Sequence, residues 1–143
     1  MFSSAIAFNQ YIGSWNTSSA TSMDSMFNNA SSFNQDISGW DVSSVTDMDS
    51  FCFLATSFNQ DLSNWTLSSL TTIVNAFNGT AMSDANAEAT LYGWSLNPLT
   101  ATGVQAATIM GNRTYAAGSN MDLALNDPTN GLVAAKNILL PAA

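Results

Sequence analysis

Met26-Phe27-Asn28-Asn29-Ala30-Ser31-Ser32-Phe33-Asn34-Gln35-Asp36-Ile37-Ser38-Gly39-Trp40-Asp41-Val42-Ser43-Ser44-Val45-Thr46-Asp47-Met48 is one statement of a phrase that this chain makes three times. The first statement reads Met1-Phe2-x-x-Ala5-x-x-Phe8-Asn9-Gln10-x-Ile12-x-x-Trp15. The third reads Phe51-Cys52-x-x-Ala55-x-x-Phe58-Asn59-Gln60-x-Leu62-x-x-Trp65. A fixed period of 25 residues is the mark of a stacked array, in which each unit buries an apolar face against its neighbours.

Spacing within the unit suggests how one turn of the array is built. Trp40-x-Val42 steps by two, as do Trp15-x-Thr17 and Trp65-x-Leu67, and period two predicts a short strand with both side chains on one face. Val45-x-x-Met48-x-x-Phe51-Cys52-x-x-Ala55 then steps by three and four, which predicts a helical or 3-10 turn started by Ser44, Thr46 or Asp47. One strand and one helical turn per unit gives an α/β repeat solenoid: a right-handed, leucine-rich-repeat-like coil with short parallel strands and a C-terminal cap. Stacking the units puts Trp15, Trp40 and Trp65 in one internal column and Phe8, Phe33 and Phe58 in another. Asn9, Asn34 and Asn59 form a third column, where an amide can satisfy backbone groups of its own turn and the next.

The repeat decays after the third copy. Ala76-Phe77-Asn78-Gly79-Thr80 opens a fourth unit, but Ser83-Asp84-Ala85 stands where Phe-Asn-Gln is due. After four inserted residues, Leu91-x-x-Trp94-x-Leu96 is expected to restore the strand. Val104-x-x-Ala107-x-Ile109 reads as a degenerate fifth unit, and residues 115–143 carry no repeat. One continuous domain is expected, with residues 1–82 as repeats and 83–143 as degenerate coils and cap. The first coil has no matching cap; its open edge predicts self-association, and Met1 falling within a unit suits a piece of a longer array.

Composition excludes whole classes of function. Hydrophobic residues make up 46% of the 143, enough for a sizeable core, while charged residues are 8% against about 25% in ordinary globular chains. Arg113 and Lys136 face ten carboxylates, for a net charge of −8, so nucleic acid and anionic lipid are poor partners. No membrane-inserting segment and no leader-like basic-then-apolar start is visible. Cys52 is the single cysteine and stands in a Phe slot, so it reads as a small buried hydrophobe rather than half of a disulfide.

The long phrase Met26 to Met48 resembles the 25-residue repeats of BspA-like leucine-rich-repeat surface proteins and of mycoplasma-type surface lipoproteins. The resemblance is strong over residues 1–75 and loose over 76–118. It implies a secreted or surface-displayed binding module, often adhesive, and supplies no catalytic residues. The chain departs from the pattern in being short, in lacking a lipidation signal, and in Thr17, Ala20 and Ala76, which replace larger core residues.

Catalysis finds little footing. There is no histidine, and no serine has a visible base partner. Asp24, Asp47 and Asp49 are weak candidates for a stacked Ca²⁺ site, set against the simpler role of acids at a helix start. No cofactor is expected. Five Asn-x-Ser/Thr sequons are present, at Asn16, Asn29, Asn64, Asn78 and Asn112, in a chain rich in all three residues. The residues flanking Trp and Val are predicted to point outward from the strands, giving a hydroxyl- and amide-rich strip that includes Asn16, Asp41, Ser43, Asn64, Thr66 and Ser95. The expected function is non-enzymatic recognition or adhesion of a protein or glycan at an extracellular or cell surface. The alternative is a structural subunit of a virion, fibre or surface layer, packing through the first coil.

Overall fold

The structure, a computed structural model, describes residues 1–95. The expected α/β leucine-rich-repeat coil is not what it shows. Among the described residues there is one helix, α1 (Asp84–Ser95), and no strand. Among these residues the sheet-like pairing is a pair of isolated parallel bridges, Ser22 to Asp47 and Asp47 to Thr72. What stacks is a series of 25-residue rungs made almost wholly of turns.

The turns explain the correction. Trp40 N–H donates to Ile37 C=O at 3.1 Å and Val45 N–H to Val42 C=O at 3.0 Å, the bond of a β-turn. Phe51 N–H donates to Met48 C=O, Ala55 to Cys52 and Phe58 to Ala55 in the same way. Apolar residues three apart therefore mark successive corners that each turn a side chain inward, not a helix running from Val45 to Ala55. The Trp-x-Val step sits between two such corners, too short to extend as a strand.

Two further corners per rung require the left-handed region. Ser25, Ser50 and Asn75 share one slot at φ 52°, 54° and 58°. Ser4, Asn29, Leu54 and Gly79 share the other, at φ 60°, 57°, 57° and 78°. These corners close the chain back on itself and interrupt any extended run. The segment between them and the bridge position carries the pairing that joins rungs: Phe27 N–H donates to Phe51 C=O at 2.8 Å, Cys52 to Ala76 at 2.7 Å and Thr46 to Thr21 at 2.8 Å. Inter-rung backbone pairing thus lies on the stretch read as helical, not on the Trp-x-Val stretch read as strand.

Leu54 is the misfit in its slot. A left-handed backbone costs a residue with a Cβ about 1–2 kcal/mol, eased for Asn and absent for Gly. Leu54 is 41% exposed, so only part of its side-chain burial stands against that cost. Leu54→Asn is expected to raise stability by about 0.5–1 kcal/mol in urea titration; a lower midpoint would show that its contact over Gly79 outweighs the backbone cost.

The core is a set of stacked aromatic columns. Trp15 lies on Trp40 with centroids 6.4 Å apart and planes 5° from parallel, and Trp65 lies on Trp94 at 6.4 Å and 10°. Phe8, Phe33 and Phe58 stack at 5.9 and 5.8 Å. Each full burial of such a side chain contributes roughly 1.5–3 kcal/mol. The indoles are also tied rung to rung: Trp40 Nε1 donates to Ile12 C=O at 3.0 Å, and Trp65 Nε1 to Ile37 C=O at 3.1 Å.

Of the strand expected over Leu91 to Leu96, residues 91–95 are the end of α1 instead, and Leu96 lies outside the described residues. Ser83 caps it, its Oγ accepting from Asn86 N–H at 3.2 Å. The helix nonetheless lands its side chains in the slots of a rung. Trp94 Nε1 donates to Leu62 C=O at 2.9 Å, and the buried Thr90 hydroxyl accepts from Leu62 N–H at 2.9 Å. Residues 104–110 and the tail from Tyr115 lie outside the described residues. No described helix is long and apolar enough to cross a membrane.

Candidate functional site

Two polar rows run along the stacked rungs, and their chemistry differs. The first is the asparagine column. Asn34 N–H donates to Asn9 Oδ1 at 2.9 Å, and Asn59 N–H to Asn34 Oδ1 at 2.8 Å. The following glutamine completes each step: Gln60 Nε2 donates to Asn34 Oδ1 at 2.8 Å and to its C=O at 3.1 Å, as Gln35 does to Asn9. The last step comes from the helix start, where Ser83 N–H and Asn86 Nδ2 both donate to Asn59 Oδ1. Sequence reading missed Asn86, because it lies outside the expected Phe-Asn-Gln slot; its signal was an amide beside an N-cap serine. This row binds the rungs to one another.

The second row is the corner beside each tryptophan, and it holds most of the residues predicted to bind. Asn16 Oδ1 accepts from Ser18 N–H at 3.2 Å and from its hydroxyl at 2.8 Å. Asp41 Oδ1 accepts from Ser43 N–H at 3.0 Å and its hydroxyl at 2.6 Å. These are Asx turns, in which the side chain mimics a backbone acceptor. Links between rungs fix the row: Thr17 Oγ1 donates to Asp41 C=O at 2.9 Å, and Ser68 Oγ to Ser43 C=O at 3.2 Å. Asn16, Asp41, Asn64 and Thr66 are exposed and Ser43 is half-buried. They lie on consecutive turns, not on a strand face. Ser95 is apart from them, as the last residue of α1.

The turn hydrogen bonds set the charge state. The Ser43 hydroxyl, and then its backbone N–H, hold the Asp41 carboxyl below the ordinary aspartate value, and Ser38 does the same for Asp36. A carboxyl depressed in the folded chain adds stability above its unfolded pKa of about 3.9, and that share is lost as pH falls through the folded value. Asn at both positions keeps the turn acceptor without the titration. The native chain should therefore lose more stability than the Asp36→Asn/Asp41→Asn variant as pH drops from neutrality to about 2. Parallel curves of melting temperature against pH would contradict it.

The candidate metal ligands are not gathered. Asp49 Oδ1 accepts from the Thr72 hydroxyl and from Val74 N–H, both at 2.6 Å, and so ties one rung to the next. Asp47 Oδ1 accepts from Asp49 N–H at 2.9 Å, and Asp24 Oδ1 from the Ser25 hydroxyl at 3.0 Å. Among the described residues, no group of three or more His, Cys, Asp or Glu is placed to hold a metal ion. Cys52 is buried, and burial pushes its thiol well up, away from reactive thiolate.

Residues 1–90 match the model of a family described as mycoplasma protein of unknown function, DUF285. No curated protein matches the chain, and no solved structure does.

Proposed function

Because the chain belongs to this mycoplasma-type family of unknown function, and because two successive rungs repeat one hydrogen-bonded polar corner, we propose that it is a non-enzymatic recognition module displayed at a cell surface. Its ligand is a protein or glycan that meets several rungs at once. The observation that carries this reading is the corner row itself. Asn16, Asp41, Asn64 and Thr66 are exposed, while intra-turn and inter-rung bonds hold the backbone beneath Asn16 and Asp41. A preorganised surface binds without the ordering cost that a mobile one incurs. Repetition along the stack lets weak contacts add through multivalency.

The kinship of the phrase to BspA-like surface proteins supports an extracellular, adhesive setting. The row lacks tryptophan and arginine, the usual anchors of tight protein interfaces, which favours modest affinity per contact. The test is a screen of the purified chain against glycan and extracellular-protein arrays, with Asp41→Ala and Asn64→Ala as controls. Ligands captured by the native chain and weakened by both substitutions are expected. Capture that survives both changes would place binding on another surface, and silence on every array would sink the recognition reading.

A further inference from the structure

One left-handed corner of each rung carries a column of backbone bonds to the next. Ser4 N–H donates to Asn28 C=O at 2.7 Å, Asn29 N–H to Phe53 C=O at 2.7 Å and Leu54 N–H to Asn78 C=O at 2.9 Å. The column stops at Gly79, which is exposed at φ 78° and whose N–H has no partner among the described residues. The residue before it is Asn78, half-buried, with a side-chain amide that is likewise unbonded among the described residues. Other asparagines are held in place. Asn9, Asn34 and Asn59 accept from the following rung or helix start, and Asn16 closes an Asx turn.

A backbone nitrogen that follows an asparagine can attack the amide carbon of that side chain. It must be uncrowded, it must give up its proton, and the amide must be free to swing toward it. Gly79 brings no Cβ to the approach. Its N–H breaks no hydrogen bond among the described residues when the proton leaves. The charge left behind spreads by amide resonance onto the Asn78 C=O oxygen, where Leu54 N–H already donates at 2.9 Å. A hydrogen bond to a charged acceptor is roughly twice as strong as one to a neutral acceptor, so that contact favours the reactive form. Asn28–Asn29 fills the same slots two rungs earlier and lacks two of these advantages. Asn29 carries a side chain, and its N–H is committed to Phe53 C=O.

We propose that Asn78–Gly79 is a modification site at which the folded chain converts its own asparagine to isoaspartate, with water as the only co-reactant. Gly79 N loses its proton and bonds to Asn78 Cγ. The Cγ–Nδ2 bond breaks, and Nδ2 takes up a proton and leaves as ammonia. Water then opens the cyclic imide. Attack at Cγ gives an ordinary aspartate at this position; attack at the main-chain carbonyl gives isoaspartate, in which the backbone runs through Cγ. Either product adds a negative charge to a chain that already carries −8. Isoaspartate also lengthens the main chain by a carbon and turns the carbonyl that Leu54 N–H holds into a loose carboxylate. The corner column loses its last described bond, just before α1. The reaction thereby sets a lifetime for the join between the third rung and the segment leading into the helix.

Peptide mapping by mass spectrometry tests this on the full chain, aged in mildly alkaline buffer with and without urea. Asn130–Gly131 repeats the dipeptide outside the described residues, so conversion is read position by position. Position 78 should convert at least about tenfold faster than Asn28 in the same folded sample, a barrier gap of about 1.4 kcal/mol. Urea should not speed it, because the fold already leaves the reacting groups free. Gly79→Asn borrows the residue that Asn29 places in this left-handed slot. It should keep the native near-ultraviolet circular dichroism and slow conversion at 78 by a similar factor. Aged native protein should melt below fresh protein, and aged Gly79→Asn protein should not. Equal rates at 28 and 78, or a rate at 78 that rises in urea, would overturn the proposal by showing that the fold does not open the site. Aged native protein that melts with the fresh chain would overturn it by showing that the corner survives the change.

Discussion

Trp65→Ala is expected to cost about 3–5 kcal/mol, a large share of the roughly 5–15 kcal/mol that holds an ordinary domain folded. Trp65 is 1% exposed and sits in the third of the three repeated phrases, with the Trp94 ring stacked on it. Its loss opens a cavity that neighbouring rungs cannot close, because each is pinned by its own inter-rung bonds. Trp65→Phe isolates the hydrogen bond. The ring that remains fills much of the space, and Ile37 C=O keeps the Trp40 N–H but loses the indole donor it holds at 3.1 Å, a hydrogen bond whose net contribution is about 0.5–1.5 kcal/mol. Trp15→Phe is the internal control, since Trp15 is 42% exposed and its Nε1 has no partner among the described residues. Urea titrations should place Trp65→Phe clearly below Trp15→Phe. Equal midpoints would mean that ring stacking alone holds the column and that the indole N–H contributes nothing.

The period of the phrase made the stack legible, and the apolar slots made its interior legible. Nothing in those slots distinguished a strand or a helix from a string of turns. Val45, Met48 and Phe51 are three apart whether the backbone is 3-10 or a chain of β-turns, and Trp40 and Val42 both face inward because turns flank them, not because the chain is extended. The deciding signal lay in the polar slots. Ser4, Asn29, Leu54 and Gly79 share a left-handed corner, as do Ser25, Ser50 and Asn75. Asn and Gly recurring in register with Ser is the trace of a positive φ, and two such corners per rung interrupt any extended strand. Leu54 hid the pattern, being the last residue type expected there. The candidate site was legible as a set of exposed residues, yet its Asx-turn geometry was not: Asp41-Val42-Ser43 looks the same as alternating strand residues when only facing is considered. Helix α1 escaped for a related reason. Leu91-x-x-Trp94 fits both a rung and a helix, and Trp94 does reach the Trp65 column, from a backbone of another kind.

That convergence of unlike backbones depends on one small residue. In an exposed helix interior, replacing Gly by Ala normally adds about 1 kcal/mol, since Ala is the best helix former and Gly nearly the worst. Gly93→Ala is expected to do the opposite. A Cβ built there would lie 2.3 Å from Ser63 C=O oxygen and 2.7 Å from Ser63 Cα, and the rung backbone cannot turn aside as a flexible side chain would. The helix must lift from the third rung. Lifting stretches the Trp94 Nε1 bond to Leu62 C=O, the Leu62 N–H bond to Thr90 and the Trp65–Trp94 stack together. Overpacking of this kind costs about 1–3 kcal/mol, and shared loss of those contacts puts Gly93→Ala at the upper end, about 3 kcal/mol. Gly39→Ala supplies the contrast, because nothing lies within 4 Å of the added carbon and that turn should tolerate or gain from it. Thermal unfolding followed by tryptophan fluorescence reads both. A Gly93→Ala protein as stable as the native chain would mean that α1 does not rest on Ser63, and that the last rung is closed by some other contact.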